Sequence, residues 1–370
     1  MKILHFYRTY FPDTQGGLEE VIRQICLNTK LLGVENRILT ISDKPSPEPI
    51  VREEAAVYQV KKSFEIASCT VGLDAIKQYR ELLEWADVVN LHYPWPFSDF
   101  VSLRSSVSRP SVLTYHSDIV RQKFLKLAYA PLEARYLASV DKIVTTSPNY
   151  AESSPTLIRY KAKLETIPIG INRVSYPDVS QDFLESVKKD CGVDFFLFVG
   201  VLRYYKGLHI LLDSMKNADY TLLIAGAGPM EAKLKKQVRK LGLSNVRFLG
   251  FISDEHKIAL YKLCRAVILP SHLRSEAFGV SLLEAAMYGK PLISADINTG
   301  TTYINIHKKT GLVVEPGDSQ SLRTAMDLLN DDPSMAKRLG RAALDRYEEL
   351  FTGKSMGERY YQLYQSLVAK

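Results

Sequence analysis

The feature that most constrains this chain is an alternation. Short β-rich runs at 2–7, 37–41, 87–91, 112–115 and 142–145 are separated by longer stretches whose apolar residues recur at helical spacing. The same rhythm returns at 195–199, 220–225, 246–249, 266–269, 291–294 and 312–314. Strand–helix alternation of this kind predicts parallel sheets, because parallel neighbours need a crossover and a helix supplies it. The pattern is written twice with no motif shared between the halves, which predicts an α/β chain of two similar Rossmann-like domains rather than a solenoid, with the active site in the cleft where the two face each other.

A length of 370 residues agrees with two cores, since a single one rarely serves more than about 250–300 residues. Pro168, Gly170 and Asn172 interrupt the pattern after a strand ending near Ile167, which places the domains at 1–172 and 173–353. A last helix, 354–370, is expected to dock back on the first domain. The Pro-rich stretch Lys44-Pro45-Ser46-Pro47-Glu48-Pro49 leaves no room for regular structure and reads as a surface loop or as a lid facing an acceptor.

Several function classes drop out. No run approaches the roughly 18 apolar residues of a membrane span, and the opening Met1-Lys2-Ile3-Leu4-His5-Phe6-Tyr7-Arg8 reads as a first strand rather than a signal peptide. Cys26, Cys69, Cys191 and Cys264 form no CxxC pair, which argues against a disulfide framework or a zinc site and fits a reducing cytoplasm. No DxD or HExxH occurs either, so metal-free chemistry is expected. A net charge of +7 suits nucleic acid, an anionic membrane face or phosphate-bearing substrates without choosing among them.

The sharpest local signal runs from Ser275 to Gly289, where two glutamates flank seven residues. A helix beginning near Phe278 and closed by Gly289 is apolar almost all round, so an ionised Glu284 within it needs a partner. Ribose hydroxyls, an internal arginine and a helix cap would each serve. Glu276 precedes the helix, close to backbone N–H groups of Phe278, Gly279 and Val280 that favour an anion.

A second signal is the strand at 195–199 leading into Gly200-Val201-Leu202-Arg203-Tyr204-Tyr205-Lys206-Gly207. Ligands of open α/β sheets bind at such strand ends, and Arg203 with Lys206 can clamp a pyrophosphate or form a solvated basic turn. In the first half, Gly16-Gly17 follows the first strand and opens a helix, as a phosphate-binding turn or a plain one would. Ala225-Gly226-Ala227-Gly228-Pro229 reads more simply as the end of a strand. His116 sits just past a strand, at the carboxyl edge of its sheet. The basic, apolar-rich segment 119–129 after it suits packing on the domain, a lipid-phosphate surface or the rim of an acceptor groove.

Taken together, these residues resemble the retaining nucleotide-sugar glycosyltransferases of GT-B fold, the glycosyl transferases group 1, which include bacterial polysaccharide α-mannosyltransferases and sucrose synthases. Glu276 to Glu284 is similar to that family's glutamate pair, and Gly16-Gly17 with Val21 to its N-terminal glycine motif. The resemblance implies that Glu284 binds the donor ribose. It places Phe278, Gly279 and Val280 along the donor sugar and phosphates, Glu276 and His116 beside the transferred sugar, and Arg203 and Lys206 on the pyrophosphate. One departure stands out: Val201 occupies the place of the family's usual arginine, and Arg203 is the nearest substitute. Asn298-Thr299-Gly300 is similar to variants found in mannosyltransferases of polysaccharide assembly, which points to GDP-mannose as donor.

The expected enzyme therefore transfers a sugar with retention to a saccharide or polyprenyl-linked saccharide, without a cofactor or metal, in the cytoplasm or at the inner face of the membrane. A UDP-sugar donor is the alternative within the fold. A dinucleotide-dependent oxidoreductase is disfavoured, because no GxGxxG follows a strand with an acidic residue about 20 positions on. A nucleic-acid-binding module has only charge in its favour, so no nucleic-acid partner is expected.

Overall fold

The computed structural model describes residues 1–14, 16–66, 69–105, 108–119 and 123–369, side chains within 123–128 excepted, so the basic segment 119–129 falls largely outside the described residues. The chain separates into two compact units, Met1–Gly170 with Gly353–Lys370, and Ile171–Thr352.

In the first unit, strands β1 (Lys2–Phe6), β2 (Glu35–Ser42), β3 (Ile50–Val51), β4 (Ala56–Lys61), β7 (Val88–Tyr93), β8 (Ser111–Tyr115), β9 (Lys142–Thr145) and β10 (Leu164–Thr166) form one sheet in the order β10-β9-β8-β7-β1-β2-β4-β3. Every pairing is parallel except the edge pair β3–β4. Strands β5 (Phe64–Ile66) and β6 (Cys69–Val71) make a separate antiparallel hairpin. The sequence pattern does not mark β3 to β6, which are short and lack a sustained apolar period. Helices α1 (Gly17–Lys30), α2 (Ala75–Trp85), α3 (Pro96–Arg104), α4 (Lys123–Ser139) and α5 (Pro148–Ser153) supply the crossovers. All six residues of β7 are buried, as a parallel strand covered on both faces requires.

In the second unit, β11 (Phe196–Val199), β12 (Leu222–Ala225), β13 (Val246–Gly250), β14 (Ala266–Leu269), β15 (Leu292–Ala295) and β16 (Gly311–Val314) pair in parallel in the order β13-β12-β11-β14-β15-β16. Numbered from its own first strand this is 3-2-1-4-5-6, the doubly wound order, whose switch point lies between the first and fourth strands. That point falls between β11 and β14. Helices α6 (Gln181–Cys191), α7 (Leu208–Ser214), α8 (Glu231–Leu241), α9 (Asp254–Leu263), α10 (Val280–Met287), α11 (Thr301–Ile304), α12 (Ser319–Asp331) and α13 (Pro333–Leu350) surround it. Several start on a side-chain cap that satisfies an orphan backbone N–H: Ser180 and Ser253 accept at 3.2 and 3.1 Å from the residue three positions on, and Asp332 at 2.8 Å from Met335 N–H.

The final helix, α14 (Gly353–Val368), packs on α1 within the first unit. A side chain at Gly357 would lie 2.5 Å from Asn28 Cβ, so the glycine sets the closeness of that crossing. Its tyrosines reach into the sheet: Tyr364 donates to Asn90 Oδ1 or accepts from its amide at 2.7 Å, and the Tyr360 and Thr114 hydroxyls are 3.1 Å apart. Among the described residues no helix is long and apolar enough to cross a membrane.

Candidate active site

At the switch point of the second unit, the loops leaving β11 and β14 meet. Gly207, with φ +72°, lets them touch: a Cβ there would stand 2.0 Å from Pro270 O, and His272 N–H donates to Tyr205 O at 3.0 Å. This contact brings Lys206, on the first loop, to Glu276, on the second, with Nζ 2.6 Å from Oε2 and both side chains about nine-tenths enclosed. Burial pulls the Lys206 ammonium down, but the Glu276 charge outweighs it and the pKa rises. Ser271 Oγ lies a further 3.4 Å from the same carboxylate oxygen.

Glu276 therefore has a cation as its partner, rather than the backbone N–H groups expected from its place before the helix. Lys206 is likewise not a free half of a clamp. Arg203 remains exposed, with no side-chain partner among the described residues.

Helix α10 begins at Val280, two residues later than the sequence pattern predicts, because Gly279 takes φ +94°. A side chain at Gly279 would also press on Leu269 Cδ2 at 3.0 Å and Leu282 Cδ1 at 3.2 Å. Phe278 is buried beside it. One turn into the helix, Glu284 is 6% exposed and fully partnered. Its Oε1 accepts from Lys257 Nζ at 2.9 Å and Tyr176 O–H at 3.0 Å, and its Oε2 from Tyr261 O–H at 2.8 Å. The internal partner is thus a lysine with two phenols, neither an arginine nor a helix cap. Burial would lower the Lys257 pKa, yet Glu284 and Asp254 raise it, while burial and Glu284 push the Tyr261 phenol up.

In the first unit, Gly16 is the extended N-cap of α1. The nearest anion to it is the chain's own: Glu19 Oε2 would be 2.6 Å from a Cβ at Gly16, and Glu19 Oε1 accepts from Thr9 and Thr14 hydroxyls at 2.8 and 3.0 Å. Gly17 opens the helix. His116 follows β8 and is 5% exposed, its pKa pushed down to about 3 by burial. It does not stand alone, because His92 stacks on it at 5.3 Å and His5 stacks on His92 at 5.4 Å.

With this geometry in view, known proteins decide the family. Residues 180–346 match the model for glycosyl transferases group 1, and residues 15–174 that for glycosyltransferase family 4. The D-rhamnosyltransferase WbpZ of Pseudomonas aeruginosa is 49% identical over 95% of this chain and 92% of its own. The O-antigen chain mannosyltransferase C of Escherichia coli is 44% identical over 100% of this chain and 99% of its own. The chain belongs to the glycosyl transferases group 1 family. Among solved structures, sucrose-phosphate synthase of Thermosynechococcus elongatus superposes with a TM-score of 0.80 at 21% identity, covering 100% of this chain and 99% of that one. Anabaena Alr3699/HepE, in complex with UDP and glucose, superposes at 0.81 and 18% identity, covering 99% of this chain and 100% of that one. These likenesses establish the GT-B fold of this glycosyltransferase.

Within the glycosyltransferase, the group 1 segment contains Arg203, Lys206, Glu276, Phe278, Gly279, Val280 and Glu284, and the family 4 segment contains Gly16, Gly17 and His116. The sequence reading missed Lys257, Tyr176 and Tyr261 around Glu284, and His5 and His92 behind His116. Lys257 and Tyr261 had a signal, being four apart on one face of α9. Tyr176 had none.

Proposed function

We propose that this glycosyltransferase is a retaining, metal-independent hexosyltransferase that moves mannose from GDP-mannose to a saccharide or polyprenyl-linked saccharide during bacterial O-antigen synthesis. One observation carries the reading. At the switch point, the lysine suited to a diphosphate and the carboxylate suited to a developing cation are held 2.6 Å apart, in a chain 44% identical over its full length to an O-antigen chain mannosyltransferase.

In the proposed reaction the anomeric C–O bond to the β-phosphate breaks, its electron pair leaving with the diphosphate. The acceptor hydroxyl oxygen bonds to the anomeric carbon on the same face, and its proton passes to the departing phosphate oxygen. Lys206, with Arg203 and the backbone of Phe278, Gly279 and Val280, stabilises the leaving charge; Glu276 stabilises positive charge on the sugar. Glu284 holds the ribose by exchanging one phenol or ammonium contact for sugar hydroxyls. Gly16 and Gly17 border the donor, and His116 accepts from a hydroxyl of the transferred sugar. The enzyme works in the cytoplasm, in peripheral contact with anionic membrane.

The 49% identical D-rhamnosyltransferase favours a second reading, a nucleotide-activated D-rhamnose, which is mannose without its 6-hydroxyl. Incubation with GDP-mannose, nucleotide-activated D-rhamnose, UDP-glucose and UDP-N-acetylglucosamine, in the presence of chelator, tests both. Acceptor-dependent release of GDP from GDP-mannose with an α-linked product is expected. Release confined to a UDP-sugar, or a β-linked product, overturns the proposal.

A further inference from the structure

Three imidazoles form a row across the carboxyl ends of β1, β7 and β8. His5 Nδ1 is 3.1 Å from His92 Nε2, and His92 Nδ1 is 3.1 Å from His116 Nε2. The rings are nearly parallel, at 20° and 16°. Only the last has any surface, since His5 and His92 are 0% exposed and His116 is 5% exposed. Burial lowers the pKa of all three, with neighbouring imidazoles adding to it at His92, so the row is neutral near pH 7.

A neutral imidazole donates from one nitrogen and accepts at the other. Two proton arrangements satisfy both links. In one, each ring carries its proton on Nε2, leaving a lone pair at His116 Nδ1 and an N–H at His5 Nε2. In the other, each carries it on Nδ1, which makes His116 Nδ1 a donor and His5 Nε2 a buried lone pair.

Asn36 decides between them. Its amide Nδ2 donates to Cys26 O at 3.1 Å and Thr29 Oγ1 at 3.2 Å, and a flipped amide would set its oxygen against the Cys26 carbonyl. That orientation leaves Oδ1 as a buried acceptor with no other partner, and His5 Nε2 is a buried nitrogen with no other partner. The Asn36 side chain bears on His5 and partly offsets its burial. An N–H at His5 Nε2 faces an acceptor; a lone pair there would face another lone pair.

We propose that Asn36, His5 and His92 are positioning residues that lock His116 as the Nε2–H tautomer, so that His116 Nδ1 presents only a lone pair and selects a sugar hydroxyl over a sugar position that lacks one. The tautomer follows from the chain of contacts alone; the sugar hydroxyl rests on the reading of His116 as a sugar contact. The effect is that of outer partners that orient an inner ligand. His116 can then accept from a hydroxyl without a competing protonated form.

The test uses the full chain labelled with ¹⁵N-histidine, whose seven histidines keep the two-bond ¹⁵N–¹H spectrum readable. At pH 7.5, about one unit above the ordinary histidine value, His5, His92 and His116 should show protonated Nε2 and bare Nδ1. Asn36→Leu and His92→Phe should each convert His116 to a tautomer mixture. They should also lower kcat/KM about three- to tenfold, the size of one lost hydrogen bond, with the loss in KM for whichever substrate, donor or acceptor, supplies the hydroxyl. A His116 carrying its proton on Nδ1 in the unmodified chain overturns the proposal, even if neither variant folds. An unmoved His116 tautomer in both folded variants overturns it as well. Unchanged kcat/KM in His116→Ala, with the Nε2–H tautomer present in the parent, overturns the sugar contact alone and leaves the tautomer lock standing.

Discussion

Lys206 Nζ and Glu276 Oε2, 70 positions apart in sequence, close a 2.6 Å ion pair where the loops after β11 and β14 meet. A diphosphate arriving at Lys206 competes with Glu276 for the ammonium, which frees the carboxylate toward the sugar. Removing one member of such an enclosed pair strands the other charge. Lys206→Ala should therefore cost about 3 kcal/mol of stability and roughly 100-fold in kcat/KM. The double variant Lys206→Ala with Glu276→Gln should recover most of the stability and none of the activity. Urea denaturation and donor-dependent nucleotide release read the two effects separately, and activity recovered along with stability would count against the catalytic role. Arg203→Ala, exposed and without a side-chain partner among the described residues, should lose far less than Lys206→Ala.

Around Glu284 the phenol of Tyr176 and the ammonium of Lys257 share Oε1. Ribose hydroxyls that bind the same carboxylate must displace one of them. Tyr176→Phe should then leave nucleotide affinity intact or tighten it up to about threefold, whereas Tyr261→Phe should cost about 1 kcal/mol of stability. Isothermal titration with GDP and thermal unfolding check these outcomes. A tenfold weaker GDP affinity in Tyr176→Phe would contradict the displacement.

The buried imidazole row makes the first unit acid-sensitive. His5 falls from 6.5 to about 4 and His116 to about 3 in the folded chain, so between those values and 6.5 the unfolded chain binds more protons. Stability is complete above about pH 6.5 and is lost as pH falls toward the folded values, on the order of 3 kcal/mol from His5 alone. Asp99 acts in the opposite sense: burial lifts it from 3.8 to about 7, so it favours the folded state at the acid end of that range. Denaturation midpoints measured from pH 8 to pH 4 should fall, and fall more steeply in Asp99→Asn. A flat profile in that variant is the contrary result.

Helix α14 satisfies polar groups inside the first sheet. Tyr364→Phe leaves buried Asn90 short of one bond and should cost about 1–3 kcal/mol. Removal of residues 353–370 should unfold the first unit while the second retains its own transition. Differential scanning calorimetry separates the two, and an unchanged first transition would show that the helix is dispensable.

Much of this was legible in the sequence. The apolar runs of β9 and β14 stand within one residue of where alternation predicts them, because a strand buried on both faces leaves a continuous apolar signature. Strands β3 to β6 escaped, being two to six residues long and half exposed. The two glutamates were visible as out-of-place charges, but their partners were not. Tyr176 comes from 108 positions away, and the His5–His92–His116 row exists only because β1, β7 and β8 are neighbours in the sheet. Side chains that meet through strand order carry no spacing signal along the chain.

Asn90 and Tyr364 are 274 positions apart, yet belong to the same compact unit, while all of 171–352 lies between its two pieces. Synthesis therefore delivers the second unit whole before it delivers the helix that finishes the first. During translation, the exposed floor of the first sheet around Asn90 and Thr114 must wait beside an already foldable neighbour. A nascent chain of this kind is vulnerable for longest in the part made earliest, so chaperone dependence and early proteolytic nicking should concentrate there.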